Sequence, residues 1–524
     1  MAGMRSLVRA LTMLIAVAAA VTLRAQRTST WVHVGDDHRL HYGTDARGNR
    51  IMDFSHSGYM GGGVRLPKVP VVRTVGHAAG DETSAIQAAI DQVSSLARGT
   101  DGLRGAVLLE PGTYEVAGAL RIAASGVVLR GSGSAEGGTT IHVAGPPHRF
   151  LDIAGAGSWE PQGRPAAVTD AYVPSGADSF TVDAASGLRV GDSVLVQRPV
   201  TDAWIRFMGM NTLVRDGKPQ TWLKAGTTIT TDRVISSIAG SRITLDVPLS
   251  DALDAAYLDP PGASIVKYTF PGRIDHVAVE ALRVTVPPRN VPITEGQYTL
   301  LRMSAVSDGW VRDVMVEDTQ NTITLGATVR RVTLEDVAIR HHVPFTAPAG
   351  PADIAIAGTQ ILVHRCSVSG KGIWPVVTQA GVTGPNVILN FTSDENGIAP
   401  HQRWATGLLV DSSRFSNGTE RRPNVAFSNR TTAGSGHGWT VGWAVAWNVT
   451  AEYLLIQQPP GAKNWCIGCT GRVTNTLWNG ERTPVPDVPS ETFESPGLSV
   501  NPPSLYLSQL RDRLGEAALA NIGY

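Results

Sequence analysis

Two histidines and two arginines fall close together in the last third of the chain, within reach of several carboxylates and indoles. The stretch from 394 to 465 opens with Asp394-Glu395-Asn396-Gly397 and continues through Pro400-His401-Gln402-Arg403-Trp404. Asn429-Arg430, Gly434-Ser435-Gly436-His437-Gly438-Trp439 and Asn464-Trp465 follow. Histidine is the side chain whose ordinary pKa lets it exchange a proton near neutral pH, and arginine pairs a carboxylate through two parallel hydrogen bonds. His401 and Arg403 are two apart, so on an extended segment they face one way. The glycines flanking His437 allow close backbone approach by a ligand.

These parts fit elimination from a uronic acid. The C5 proton is weakly acidic until its carboxylate is neutralised, which Arg403 and Arg430 would do. His401 or His437 would remove the proton, and the other would protonate the leaving oxygen. Asp394, Glu395, Trp404, Arg430 and Trp439 are the expected substrate contacts. Indole faces stack on the apolar faces of sugars, and five of the 12 tryptophans lie in this stretch. Hydrolysis needs instead two carboxyl groups, for which Asp336, Asp353, Asp394, Glu395 and Asp411 are available. A non-catalytic glycan-binding surface would use the same indoles. Each of these residues also has a structural alternative: Arg403 as an ion-pair partner of Asp394 or Asp411, Gly-His-Gly-Trp as a tight turn, and Trp443 and Trp447 as core. The residues establish no cofactor and do not set metal dependence. Calcium is the one ion to consider, with Asp394 and Glu395 as its best ligands, although adjacent carboxylates on a strand point oppositely.

The elements that must position these groups read as short strands. Glycine (56) and proline (32) supply many turns. Residues 26–79 form a polar, turn-rich extension. Apolar Ala85, Ile86, Ala89, Ile90 and Val93 have helical spacing, with Thr83 or Asp81 as the cap. Strands follow at 105–109 and 127–130, punctuated by Pro111-Gly112 and Gly131. The runs GDETSAIQAAID, GAVLLEPGTYEV and GVVLRGSG, within residues 80–145, resemble the start of the pectate lyase-like superfamily. That resemblance implies an all-β chain, a right-handed parallel β-helix with an N-terminal capping helix. The superfamily hosts lyases, hydrolases and phage tailspikes, so it implies a scaffold better than a reaction.

Residues 80–164 then hold the cap and first coils, and 165–270 an inserted small β unit. Its loop carries Trp204, Arg206, Arg215, Lys218, Trp222 and Lys224, among which Trp204 and Lys224 are expected to touch substrate. Coils resume over 271–480. If Val284, Val316, Ile339 and Val368 stack, their spacings of 32, 23 and 29 reflect loops of unequal length around a constant strand core. The tail, 481–524, ends in a helix at Leu505–Leu514.

Arg5 and Arg9 before the apolar run Ala10–Leu23, with Ala25 beyond it, read as a signal peptide over 1–25. The expected location is secreted or periplasmic, with no stable membrane span. Lys plus Arg equals Asp plus Glu at 45 each, which argues against a nucleic-acid partner; a polysaccharide is the expected one, and the sequence sets no oligomeric state. Cys366, Cys466 and Cys469 form no disulfide framework, and the CxxC lacks a second half for zinc.

Overall fold

The computed structural model describes residues 27–475 and 493–524. The expected signal segment, 1–25, lies outside the described residues. The chain winds into a right-handed parallel β-helix. One sheet stacks Val71–Val75, Gly105–Leu109, Val127–Arg130, Ile274–Thr285, Val306–Glu317, Arg330–Arg340, Ile361–His364, Thr383–Leu389, Ala405–Asp411, Val445–Trp447 and Trp465–Ile467, each parallel to the next. Two further parallel strips complete each turn. Val284 pairs with Val316, Val316 with Ile339, and Ile339 with Val368, so the unequal spacings are absorbed by the loops.

A repeated backbone device turns the corner between the first two sheets. Ala281, Asp313, Asp336, Arg365, Asn390, Ser412 and Asn448 all have φ between 48° and 58°. Each directly follows a residue paired in register with its counterpart on the next coil. Asp and Asn tolerate this left-handed conformation better than most residues. Inside, Ile, Val and Leu side chains form one continuous core. The helix Thr83–Ser94 closes its end with Ile86, Ala89, Ile90 and Val93. Asp81 Oδ1 accepts the Thr83 amide at 3.0 Å. The first coil strand, Val71–Val75, precedes the boundary expected at residue 80; Val71 and Val72 are exposed there, so no in–out alternation marked it.

The chain from Glu160 to Thr269 leaves the coil as an antiparallel sheet in which Ser193–Pro199 pairs with both Thr228–Ala239 and Ser264–Thr269. It folds back over the outside of the late coils. A second apolar core joins its Trp204, Trp222 and Ile229 to coil residues Leu409, Trp443 and Ile467, to Phe54 of the N-terminal extension, and to Tyr506 and Leu510 of the C-terminal helix. That helix, Leu505–Leu514, is capped by Ser504, whose side chain accepts from the Leu507 amide. No helix among the described residues is long and apolar enough to cross a membrane.

Candidate active site

His401 and His437 meet on adjacent coils, where Ala405 pairs with Val441. Their ring centroids lie 4.6 Å apart at 86°. His401 is not on an extended segment: Arg403 (φ 55°) and Trp404 (φ 65°) are both left-handed, and the strand starts only at Ala405. The bend, not strand alternation, brings the groups together. The His401 amide bonds Thr378 O at 3.0 Å on the preceding coil, and the Arg403 amide bonds His437 O at 3.1 Å on the following one.

Two guanidiniums frame the rings. Arg430 Nη1 donates to His401 O at 2.9 Å. Arg403 Nη2 donates to Ser435 O at 3.0 Å and Ser435 Oγ at 2.6 Å. Arg215, from the insert's hairpin, donates to Gly434 O at 2.9 Å. Burial, then Arg430 and Arg403, depress the His401 pKa to about 4. Burial and the same arginines, with a smaller push from Arg215, bring His437 to about 3. Both rings are therefore neutral at pH 7 in a positive surrounding. His437 is 7% exposed, and its Nδ1 is buried without a partner. Burial also lowers Arg430, to about 10. The arrangement suits an anionic ligand beside a proton acceptor.

The indoles go elsewhere. Trp404 and Trp204 are 2% and 3% exposed, with centroids 5.6 Å apart in the second core. Trp404 Nε1 donates to Asp251 Oδ2 at 2.7 Å and Trp443 Nε1 to Asp251 Oδ1 at 3.0 Å. Arg198 pairs with the same carboxylate at 3.2 Å and lies over the Trp204 ring. Their faces are covered by protein, so neither can serve as a sugar platform. Trp439 is half-buried, and its carbonyl accepts from Trp222 Nε1 at 3.0 Å. Lys224 is exposed on the insert.

The carboxylates take separate posts. Asp394 accepts the Gly370 amide, and Glu395 lies 3.8 Å from Lys371. Asp411 is fully buried and accepts from Ser504 Oγ and the Tyr506 amide, anchoring the C-terminal helix; burial raises its pKa to about 6. Asp353 pairs with His341 at 2.7 Å and Asp336 with Arg365 at 2.9 Å. Arg403 bonds neither Asp394 nor Asp411. Among the described residues no group of three or more His, Cys, Asp or Glu is placed to hold a metal ion.

The sequence reading left Ser435 and Arg215 out of the site. Ser435 sat within the glycine-rich run with no mark of its own, and Arg215 lies 222 positions before His437. Cys366, Cys466 and Cys469 are free and buried.

No family model and no curated protein matches the chain. Among solved structures it is similar to phage tailspikes. The tailspike of Escherichia coli bacteriophage HK620, in complex with a pentasaccharide, is 12% identical with a TM-score of 0.39, over 86% of this chain and 59% of that one. The tailspike of Pseudomonas phage LKA1 is 13% identical with a TM-score of 0.31, over 76% and 70%. That of Acinetobacter baumannii bacteriophage AP22, with capsular saccharide, is 9% identical with a TM-score of 0.26, over 76% and 67%.

Proposed function

We propose that the chain is an exported polysaccharide-acting enzyme that cleaves a uronate-containing glycan by β-elimination at the His401–His437 corner. The observation that carries this reading is the pair of neutral imidazoles, centroids 4.6 Å apart, beneath Arg403 and Arg430. The uronate carboxylate sits against the guanidiniums, which withdraw charge from it and acidify the C5 proton. His401 takes that proton as the C4–C5 double bond forms and the C4–O bond breaks. His437 is held neutral, so it donates a hydrogen bond to the departing oxygen, which takes its proton from solvent.

A histidine with a pKa near 4 is a weak base in the empty site. The bound carboxylate opposes the two arginines that depress it, and so raises the basicity of His401 when substrate arrives. Hydrolysis is less well supported, because the available carboxyl groups are engaged in separate structural contacts. The test is incubation with polygalacturonate and alginate while following ultraviolet absorbance of unsaturated products. New reducing ends without unsaturation would move the assignment to hydrolysis. Binding without any product would leave a glycan-binding protein.

A further inference from the structure

A cavity of about 270 Å³ opens where the insert meets the coil. Its floor is made of small residues from three successive coils: Ala327, then Ala357 and Gly358, then Ala380 and Gly381. Trp159, just before the insert, and the insert's Leu223, Thr227, Thr228 and Thr230 supply the opposite wall, and Asp232 and Arg273 also line it. Its volume is just below the usual span of small-molecule pockets, about 300–1,000 Å³, which suits one ring better than an extended ligand.

The lining specifies the ligand's chemistry. Thr227 donates its hydroxyl proton to Lys224 O at 2.7 Å, and Thr359 donates to Gly384 O at 3.2 Å. These two hydroxyls keep acceptor lone pairs for a ligand, while Thr228 and Thr230 line the cavity with hydroxyls that can donate or accept, so the ligand carries hydroxyl groups. Arg273 is 8% exposed, and its guanidinium is committed to Asp232, Tyr268 and Thr328 O. Asp232 is saturated by Tyr268, Arg273 and Arg330, so charge here is largely internal. The half-buried Trp159 indole adds an apolar flank. Hydroxyls that donate and accept, beside an aromatic edge, describe a polyol ring.

The cavity floor also borders the coil that carries His401 and Arg403. The Gly381 amide donates to Arg403 O at 2.9 Å. One residue before Ala380, Gln379 Oε1 accepts from Gln402 Nε2 at 3.3 Å. Coils repeat every ~4.8 Å along the axis, so Arg403 lies one coil beyond the cavity floor.

We infer that this cavity is a second sugar subsite, holding a unit of the same glycan chain one or more positions from the bond cleaved at His401. The inference rests on the polysaccharide reading. It is tested with galacturonate and alginate oligomers of increasing length, measuring kcat/KM by product absorbance and, independently of turnover, affinity by calorimetry. In the native protein both rise when an added unit reaches the cavity. Trp159→Ala, and Ala380→Phe, which fills the cavity from an exposed position, lose that increment, roughly 3- to 10-fold, while the shortest cleaved oligomer is handled as before. Turnover whose length dependence is unchanged in both variants overturns the subsite and leaves the elimination reading standing. Affinity that depends on Trp159 without turnover retains the subsite and rejects elimination. No binding by either series overturns both.

Discussion

Arg403 and Trp404 are neighbours in the chain with opposite surroundings. Arg403 reaches Ser435 and faces two neutral imidazoles at a partly open corner. Trp404 turns into a dry interface with the insert, where Asp251 takes its indole N–H and that of Trp443. In both regions arginines meet aromatic rings. At the interface a buried carboxylate completes the arrangement, and every polar group of the Trp404–Trp443–Asp251 set has a partner. At the corner Arg430 and Arg403 act on the imidazoles while His437 Nδ1 and Arg403 Nε remain without partners. In the structural region a buried carboxylate neutralises the arginine, whereas at the candidate site two arginines press on neutral imidazoles.

The largest effect that separates the regions is on turnover. His401→Ala should lower kcat by about 10²- to 10⁴-fold with little change in the urea midpoint. Full activity in both His401→Ala and His437→Ala would remove the histidines from the mechanism and dissolve the contrast. Next, Trp404→Ala should cost about 3–5 kcal/mol of stability, read from urea unfolding; activity loss in a variant of unchanged stability would mean that the indole has a substrate role after all. Asp251→Asn should cost about 1.5–3 kcal/mol by weakening the charge-assisted bonds to the two indoles and Arg198. Smallest, and sharpest in sign, is the pH dependence. His401 and His437 hold depressed pKa values of about 4 and 3 in the folded chain against about 6.5 when unfolded. The unfolded state binds more protons across that interval, so the pair withdraws stability as pH falls below about 6.5. His401→Ala should flatten that slope. The acid limb of kcat/KM should lie near pH 4 rather than 6.5; a limb at 6.5 would show that burial and the arginines do not hold the rings down.

Much of the scaffold was legible. The strand cores at Val284, Val316, Ile339 and Val368, the helix at Leu505–Leu514 and the antiparallel character of the insert all follow from local periodicity and turn residues. The convergence of His401 with His437 was legible too, because 36 residues is about the length of one coil with its loop. The fate of the tryptophans was not. Trp404 lies 153 residues from Asp251, and no local pattern records that pairing. Nor did the sequence mark the left-handed bend at Arg403 and Trp404, which sends two adjacent side chains to different environments.

By itself the sequence determined the coil, since apolar strand cores, turn residues and an amphipathic cap are all written within a few residues of where they act. Only the tertiary structure decided which faces stayed open. The insert folds back across the late coils and buries their indoles, because that contact removes large apolar surfaces from water. Where its wall stands away from the small-residue floor, it leaves the cavity beside Trp159; beyond that, His401, Arg403 and Arg430 are only partly buried.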